Sequence, residues 1–276
     1  LGFSGEFLPL VVAVSRWFEK RRGLALGIVG AGSPVGAMVI APLSGYMVQQ
    51  FGWRGTFIIL GSIVGLMVMG AAQLIKGTPE EKGLLPYGRN SAENPTSGTV
   101  SAPPLSSIGA ASPLTFTLRQ ALRAKNFWVL TGAMFLGSFS TSVIFTHLVP
   151  HATDPGVGAS LSQAATLLSL LAAGSLVGRI ALGTLSDRLG ARTGLAICFG
   201  LGATAMLWLP LAKELSWLRI FALAYGFASG GMFTMFPMLM GELFGLASMG
   251  SILGVSRAST ALGFASGGPI AGWMFD

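Results

Sequence analysis

From Leu24 to Val48, and again from Thr56 to Ile75, the chain carries no charged residue. A helix needs about 20 apolar residues to cross the ~30 Å hydrocarbon core of a bilayer, and both runs are long enough. Further runs of this kind extend over Phe127–Val149, which contains His147, and Leu161–Leu185, which contains Arg179. Gly194–Ala212 and Ile220–Gly241 follow without a charge, and Ser248–Phe275 contains Arg257. A shorter run, Leu1–Val14, opens the chain and holds Glu6. Strands of a membrane barrel are about 10 residues long and alternate polar with apolar. These runs are twice that length and unbroken, so they predict helices. The expected fold class is an all-α polytopic membrane protein with eight spanning helices, the first incomplete.

Charge supports this class. Only 10% of the 276 residues are charged, against about 25% in soluble domains. So few charges cannot clothe a water-facing surface. The net charge of +7 is therefore read as loop charge that orients the chain in the membrane, not as a nucleic-acid surface. The single cysteine, Cys198, has no internal partner for a disulfide. The chain opens on Leu1, already apolar, and closes on Gly272-Trp273-Met274-Phe275-Asp276. Both ends are expected to lie inside a longer protein.

Between the third and fourth runs, residues 76–126 are rich in Pro, Ser and Thr and in scattered charge. Such a stretch buries too little apolar surface to order itself, so it reads as a linker. It divides the chain into 1–75, the end of one helical bundle, and 127–276, a second bundle. Loops alternate sides of the membrane. One side collects 12 basic residues, among them Arg16, Lys20, Arg21, Arg22, Arg188 and Arg192, and the other only Arg54, Lys213 and Arg219, 3 in all. The positive-inside rule makes the first side cytoplasmic, and the linker with it.

The second and last runs repeat each other at an offset of 227. Gly23 falls on Gly250, Gly27 on Gly254, Gly36 on Gly263, Pro42 on Pro269 and Gly45 on Gly272. Parallel repeats about a central loop suit a transporter built of two halves. Small residues let helices approach closely in lipid. Gly27 with Ala31, and Gly32 with Gly36, have the required spacing.

The segment Gly183-Thr184-Leu185-Ser186-Asp187-Arg188-Leu189-Gly190-Ala191-Arg192 resembles the signature G-x-L-x-D-[RK]-x-G-[RK]-[RK] of the major facilitator family, with Ala191 in place of one closing basic residue. The resemblance implies a major facilitator fold of which this chain supplies about 8 of 12 helices, the fourth to the eleventh. Gly183, Asp187, Arg188, Gly190 and Arg192 would then form a gating loop on the cytoplasmic side. Asp187 is expected to cap the helix after it or to pair with a neighbouring cation, and the arginines to lie at the anionic lipid surface. Arg16-Trp17-Phe18-Glu19-Lys20-Arg21-Arg22-Gly23-Leu24-Ala25, His147-Leu148-Val149-Pro150 and Gly267-Gly268-Pro269-Ile270-Ala271-Gly272-Trp273 are similar to the monocarboxylate and oxalate–formate branch.

Arg179 and Arg257 stand inside spanning runs. A central arginine costs at least about 2.5–3.5 kcal/mol there, so intramembrane charge calls for a function. Counted from the expected cytoplasmic ends, Arg179 is roughly 9 Å deep and Arg257 roughly 12 Å, at 1.5 Å per residue. Two guanidiniums at one level attract a carboxylate and can grip it with paired hydrogen bonds. The branch resemblance implies the same, since basic residues in its eighth and eleventh helices are implicated in anion binding. It also places Ser175 where monocarboxylate carriers often have an acid. Two bland readings stand beside this one: either arginine snorkels to the interface, or Arg257 pairs with Glu242.

Glu6 and His147 are candidates for carrying a coupling proton. His147 and His151, separated by Pro150, make a poor metal site. No P-loop is present, and no Ser–His or paired-Asp constellation within the helices points to an enzyme. The expectation is a secondary carrier of the plasma (inner) membrane, with no cofactor. It would move a small organic anion, a mono- or dicarboxylate, by alternating access, with a coupling proton or a counter-anion as symporter or antiporter. Membrane lipid and substrate are its expected partners, and nucleic acid is not. The alternative is a facilitator that exports drugs or amphipathic compounds.

Overall fold

A computed structural model describes residues 2–18, 20–74, 87, 116–212, 214–246 and 248–275. All eight apolar runs are helical. The helices are α1 (Gly2–Trp17), α2 (Arg22–Leu74), α3 (Leu118–Arg123), α4 (Lys125–Thr153), α5 (Leu161–Leu189), α6 (Ala191–Trp208), α7 (Leu215–Phe244) and α8 (Met249–Phe275). In lipid every backbone polar group has to find its partner inside the protein, which a helix alone achieves within one segment. Among the described residues, six stretches are both long and apolar enough to span a bilayer. Of the remaining three helices, α3 has only 6 residues and α1 only 16. α8 has 27, but Ser, Thr, Gly and Arg257 lower its hydropathy.

The second and third predicted helices meet with almost no loop between them. They form the two arms of α2, broken at Gly52, whose φ of 67° and ψ of 169° lie outside the helical region. Such a left-handed φ is easy only for glycine. Residues 76–86 and 88–115 of the expected linker lie outside the described residues, and its last part, Phe116 to Asn126, is described. Thr117 and Gln120 form a reciprocal capping box that starts α3, as that pairing does wherever Ser or Thr precedes Gln by three. Ala121 on α3 is fully buried, and the Phe116 ring meets Phe244 edge-on at 5.6 Å.

Four helix pairs make the main contacts: α5 with α7, α4 with α8, α2 with α5, and α6 with α7. The α5–α7 seam is reciprocal. Gly174 and Gly178 lie against the backbone at Leu223 and Phe227, while Gly226 and Gly230 lie against that at Leu171 and Ser175. Both pairs have the G-x-x-x-G spacing that brings backbones together in lipid. The α4–α8 seam uses Gly263 and Gly267 against the backbone at Phe135 and Phe139, and Thr131 donates to Ser256 at 3.3 Å. α7 is the most enclosed helix, whereas the second arm of α2 is nearly all exposed. Both are apolar and free of charge over most of their length, so sequence does not separate them.

The end of the bundle where α2 begins also holds the last turns of α5 and α7 and the first turns of α4, α6 and α8. It is called the signature end below.

Candidate functional site

Two groups of residues join α2 to the later helices, one at the signature end and one deeper. At the signature end, Gly190 takes a φ of 82° and is at once the C-cap of α5 and the N-cap of α6. A one-residue turn between two helices demands that left-handed conformation, which explains the glycine at this place in the motif. Gly183 removes the side chain that would separate α5 from α2: a Cβ there would lie 2.6 Å from the Gly23 carbonyl oxygen. Asp187 then reaches across. Its carboxylate accepts from the backbone N–H of Gly23 at 2.7 Å and of Leu24 at 3.0 Å.

This corrects the expectation that Asp187 caps the helix after it or pairs with a cation. It caps α2, more than 160 positions earlier in the chain. A carboxylate suits this position because the first N–H groups of a helix are unpaired and carry the positive end of its dipole. Glu242, near the end of α7, lies near the Ala191 backbone at the start of α6 and within electrostatic reach of Arg22. Glu242, considered above as a partner for Arg257, thus lies near α6 and Arg22. Arg22 in turn lies against Gly241 and donates to the Met249 sulfur at 3.9 Å. Arg188 and Arg192 are exposed on either side of the turn.

The deeper group surrounds Arg179. α5 runs on to Leu189, so Arg179 stands about ten residues from the signature end, roughly 15 Å and not 9 Å. Arg257 is eight residues into α8, still roughly 12 Å deep. Both sit near the middle of a ~30 Å core, and the charge of Arg257 acts on Arg179. Arg257 thus lies within electrostatic reach of Arg179, on a helix that shares no main seam with α5. Arg179 donates through Nη1 to the backbone carbonyl of Gly30 at 2.5 Å, and its guanidinium lies 5.9 Å from the centre of the Phe233 ring. Its Nε is buried with no hydrogen-bond partner. A buried donor left unpaired is costly, so this edge of the guanidinium is poised to receive an acceptor.

The remaining candidates lie elsewhere. His147 is on α4, where its Nε2 is 3.1 Å from the Gly268 carbonyl oxygen on α8, at the end opposite the signature. His151 is exposed one turn on. Glu6 falls in α1, and its side chain lies outside the described residues. Among the described residues no cluster of His, Cys, Asp or Glu suits a metal ion. A cavity of about 290 Å³ opens between α4, α6 and α7, lined by Phe199, Met206 and Met232 with the hydroxyls of Ser140, Thr141 and Tyr225. It holds neither arginine and lies within one group of helices.

Sequence reading missed Gly30 and Phe233 as companions of Arg179. At the 227-residue offset of the repeat, Arg257 falls on Gly30. That coincidence was the available signal: the repeat puts a small residue in α2 at the depth where α8 has its arginine. The Gly32–Gly36 spacing misled, since neither glycine has a neighbour within 4 Å among the described residues.

Comparison with known proteins decides the family. The profile of the Major Facilitator Superfamily matches residues 1–274. The chain belongs to the major facilitator superfamily. It is 30% identical to monocarboxylate transporter 12 of Mus musculus, over all of this chain and 58% of that protein. It is 32% identical to monocarboxylate transporter 12-B of Danio rerio, over all of this chain and 60% of that protein. Monocarboxylate transporter 11 of Homo sapiens is 30% identical over all of this chain and 55% of its own length. The chain thus spans somewhat more than half of these relatives. Its similarity falls on the branch that its motifs resemble, and it is an integral membrane protein.

Proposed function

We propose that this chain forms the greater part of a secondary carrier for a small organic anion, a mono- or dicarboxylate, working by alternating access. The observation that carries the reading is the Nε of Arg179, buried and unsatisfied near mid-membrane, with Arg257 within electrostatic reach. Two cations at one depth repel each other, and a carboxylate between them removes both the repulsion and the unpaired donor. The relatives' own names are consistent with such a cargo. Gly183, Asp187 and Gly190 then hold α2 against α5 on what we take to be the cytoplasmic side, with residues 1–75 and 127–276 as the two rocking bundles. The expected location is the plasma membrane, with residues 76–126 facing the cytoplasm. His147 and Glu6 remain the candidates for a coupling proton.

The test is Arg257→Ala in the full-length protein, assayed for uptake of labelled mono- and dicarboxylates. Removing one partner of a buried charged contact costs at least about 2 kcal/mol, so uptake should fall roughly 30-fold or more. The amount of protein in the membrane should stay the same. Unchanged uptake kinetics would remove the anion role. Failure of simple carboxylates to compete, with amphipathic compounds competing instead, would favour the exporter.

A further inference from the structure

The acceptor that Arg179 uses is an unusual one. In an α-helix each carbonyl receives the N–H four residues on. Four residues after Gly30 stands Pro34, which has no N–H to give. The Gly30 carbonyl is thus freed from the helix ladder by Pro34, and Arg179 Nη1 takes the vacated place. Gly30 contributes a second condition. A Cβ at this position would lie 3.1 Å from Nη1, so the guanidinium would have to give way by a few tenths of an ångström, weakening the bond. Gly30 and Pro34 are therefore two halves of one device: proline exposes the oxygen and glycine clears the approach. Pro34 is buried, and Gly30 lies against Arg179 of α5 and Thr234 of α7, so the device does not sit on an open face.

We infer that the Gly30 carbonyl is the resting seat of Arg179, and that the Arg179–Gly30 bond is a latch between the two helix groups which the transported anion releases. The second half of this statement rests on the anion reading above. A guanidinium bonds a carboxylate more strongly than a neutral carbonyl. An anion bound between Arg179 and Arg257 competes for the same donor. When Arg179 turns to the anion, α2 loses its deepest polar tie to α5 and keeps only the contacts at the signature end, where Asp187 holds Gly23 and Leu24. Binding is in this way linked to a weaker hold between α2 and α5, the differential interaction that any ligand-driven conformational shift requires. Gly30 and Pro34 are positioning residues: they act on the anion only through Arg179.

The experiment measures opening of the signature end in the full-length protein, reconstituted in lipid on a cysteine-free background that includes Cys198→Ala. Spin labels are attached through Lys20→Cys and Leu189→Cys, and the distance distribution is recorded without substrate. A hydrogen bond to a charged group shifts a two-state equilibrium by about tenfold. Arg179→Gln should raise the open-to-closed ratio by about that factor, and Gly30→Ala should raise it by less. The double variant should open no further than Arg179→Gln alone, because both act on the same bond. Pro34→Ala, which returns an N–H to the carbonyl, should shift the ratio the same way by less. Gly200→Ala on α6, where no neighbour lies within 4 Å, should leave the ratio unchanged. Should Arg179→Gln fail to accumulate, Arg179→Lys takes its place in the cycle.

An unchanged ratio in Gly30→Ala overturns the seat, as do effects that multiply in the double variant. Pyruvate at saturating concentration is the second arm. It should open the wild type and act less on Gly30→Ala. If pyruvate does nothing while the two substitutions remain non-additive, the seat stands and the anion reading falls.

Discussion

The first arm of α2 and α8 carry the same spacing of glycine and proline, and they begin at equivalent positions, Arg22 and Met249, 227 apart. They nonetheless use opposite ends of the shared pattern. In α2 the glycines near the start are packed: a Cβ on Gly27 would lie 2.5 Å from the Arg179 carbonyl oxygen, while Gly36 has no neighbour within 4 Å among the described residues. In α8 the early Gly250 and Gly254 have none among the described residues, while a Cβ on Gly263, the counterpart of Gly36, would lie 2.5 Å from the Phe135 carbonyl oxygen. The polar contacts differ as well. The α2–α5 seam is charged, through Asp187 and Arg179. In the α4–α8 seam Thr131 donates to Ser256 and His147 lies against Gly268. A small-residue pattern thus licenses close approach without saying where it happens. The Asp187 and Arg179 contacts mark α2–α5 as the seam proposed to open.

Substitutions at matched positions test that contrast. The largest effect is expected at Gly263→Leu, which drives a side chain into the backbone of α4. Overpacking of this kind costs typically 1–3 kcal/mol, and here the protein should accumulate poorly or melt well below the wild type. Gly36→Leu, its counterpart, should melt closer to the wild type. Equal melting losses in the two would erase the distinction. Gly27→Ala comes next. It should separate α2 from α5 and raise the open-to-closed ratio at the signature end by about tenfold, taking ~1.4 kcal/mol for a moderate overpacking penalty. Melting should change less in Gly27→Ala than in Gly263→Leu. The reverse order would make α2–α5 the static seam.

Asp187→Asn keeps an oxygen for the α2 cap and removes its charge. A charge at a helix terminus is worth roughly 0.3–1 kcal/mol, so the same distance measurement should show a two- to fivefold shift toward opening. A shift of this size that vanishes at high salt would still support the cap, since the term is electrostatic. Complete insensitivity would not. The smallest change is expected from Thr131→Val, which removes one hydroxyl contact between α4 and α8. Such contacts average about 0.6 kcal/mol in membranes, enough to lower the melting temperature slightly and too little to alter the distance distribution.

Much of the site could be read before the fold was known. Arg179 and Arg257 stood out because charge is expensive in apolar runs, and the signature motif marked Gly183, Asp187 and Gly190. What each of them touches was hidden. Asp187 was expected to act locally, as capping residues usually do, and instead caps a helix that begins at Arg22. Arg179 was placed too shallow because α5 continues to Leu189 through Ser186, Asp187 and Arg188, polar residues that a hydropathy reading treats as loop. The G-x-x-x-G pairs at Gly174 and Gly178 and at Gly226 and Gly230 were present in the sequence, yet nothing local distinguished them from Gly32 and Gly36.

The sequence by itself determined the spanning helices, their family and the two arginines within them. These follow from hydropathy and charge, which are local properties summed along about 20 residues. Only the tertiary structure decided which helix faces which, that Asp187 caps α2, and that the Gly30 carbonyl freed by Pro34 receives Arg179. A helix that is apolar all round has no preferred face, so its rotation and its neighbours are settled by backbone fit between segments far apart in the chain.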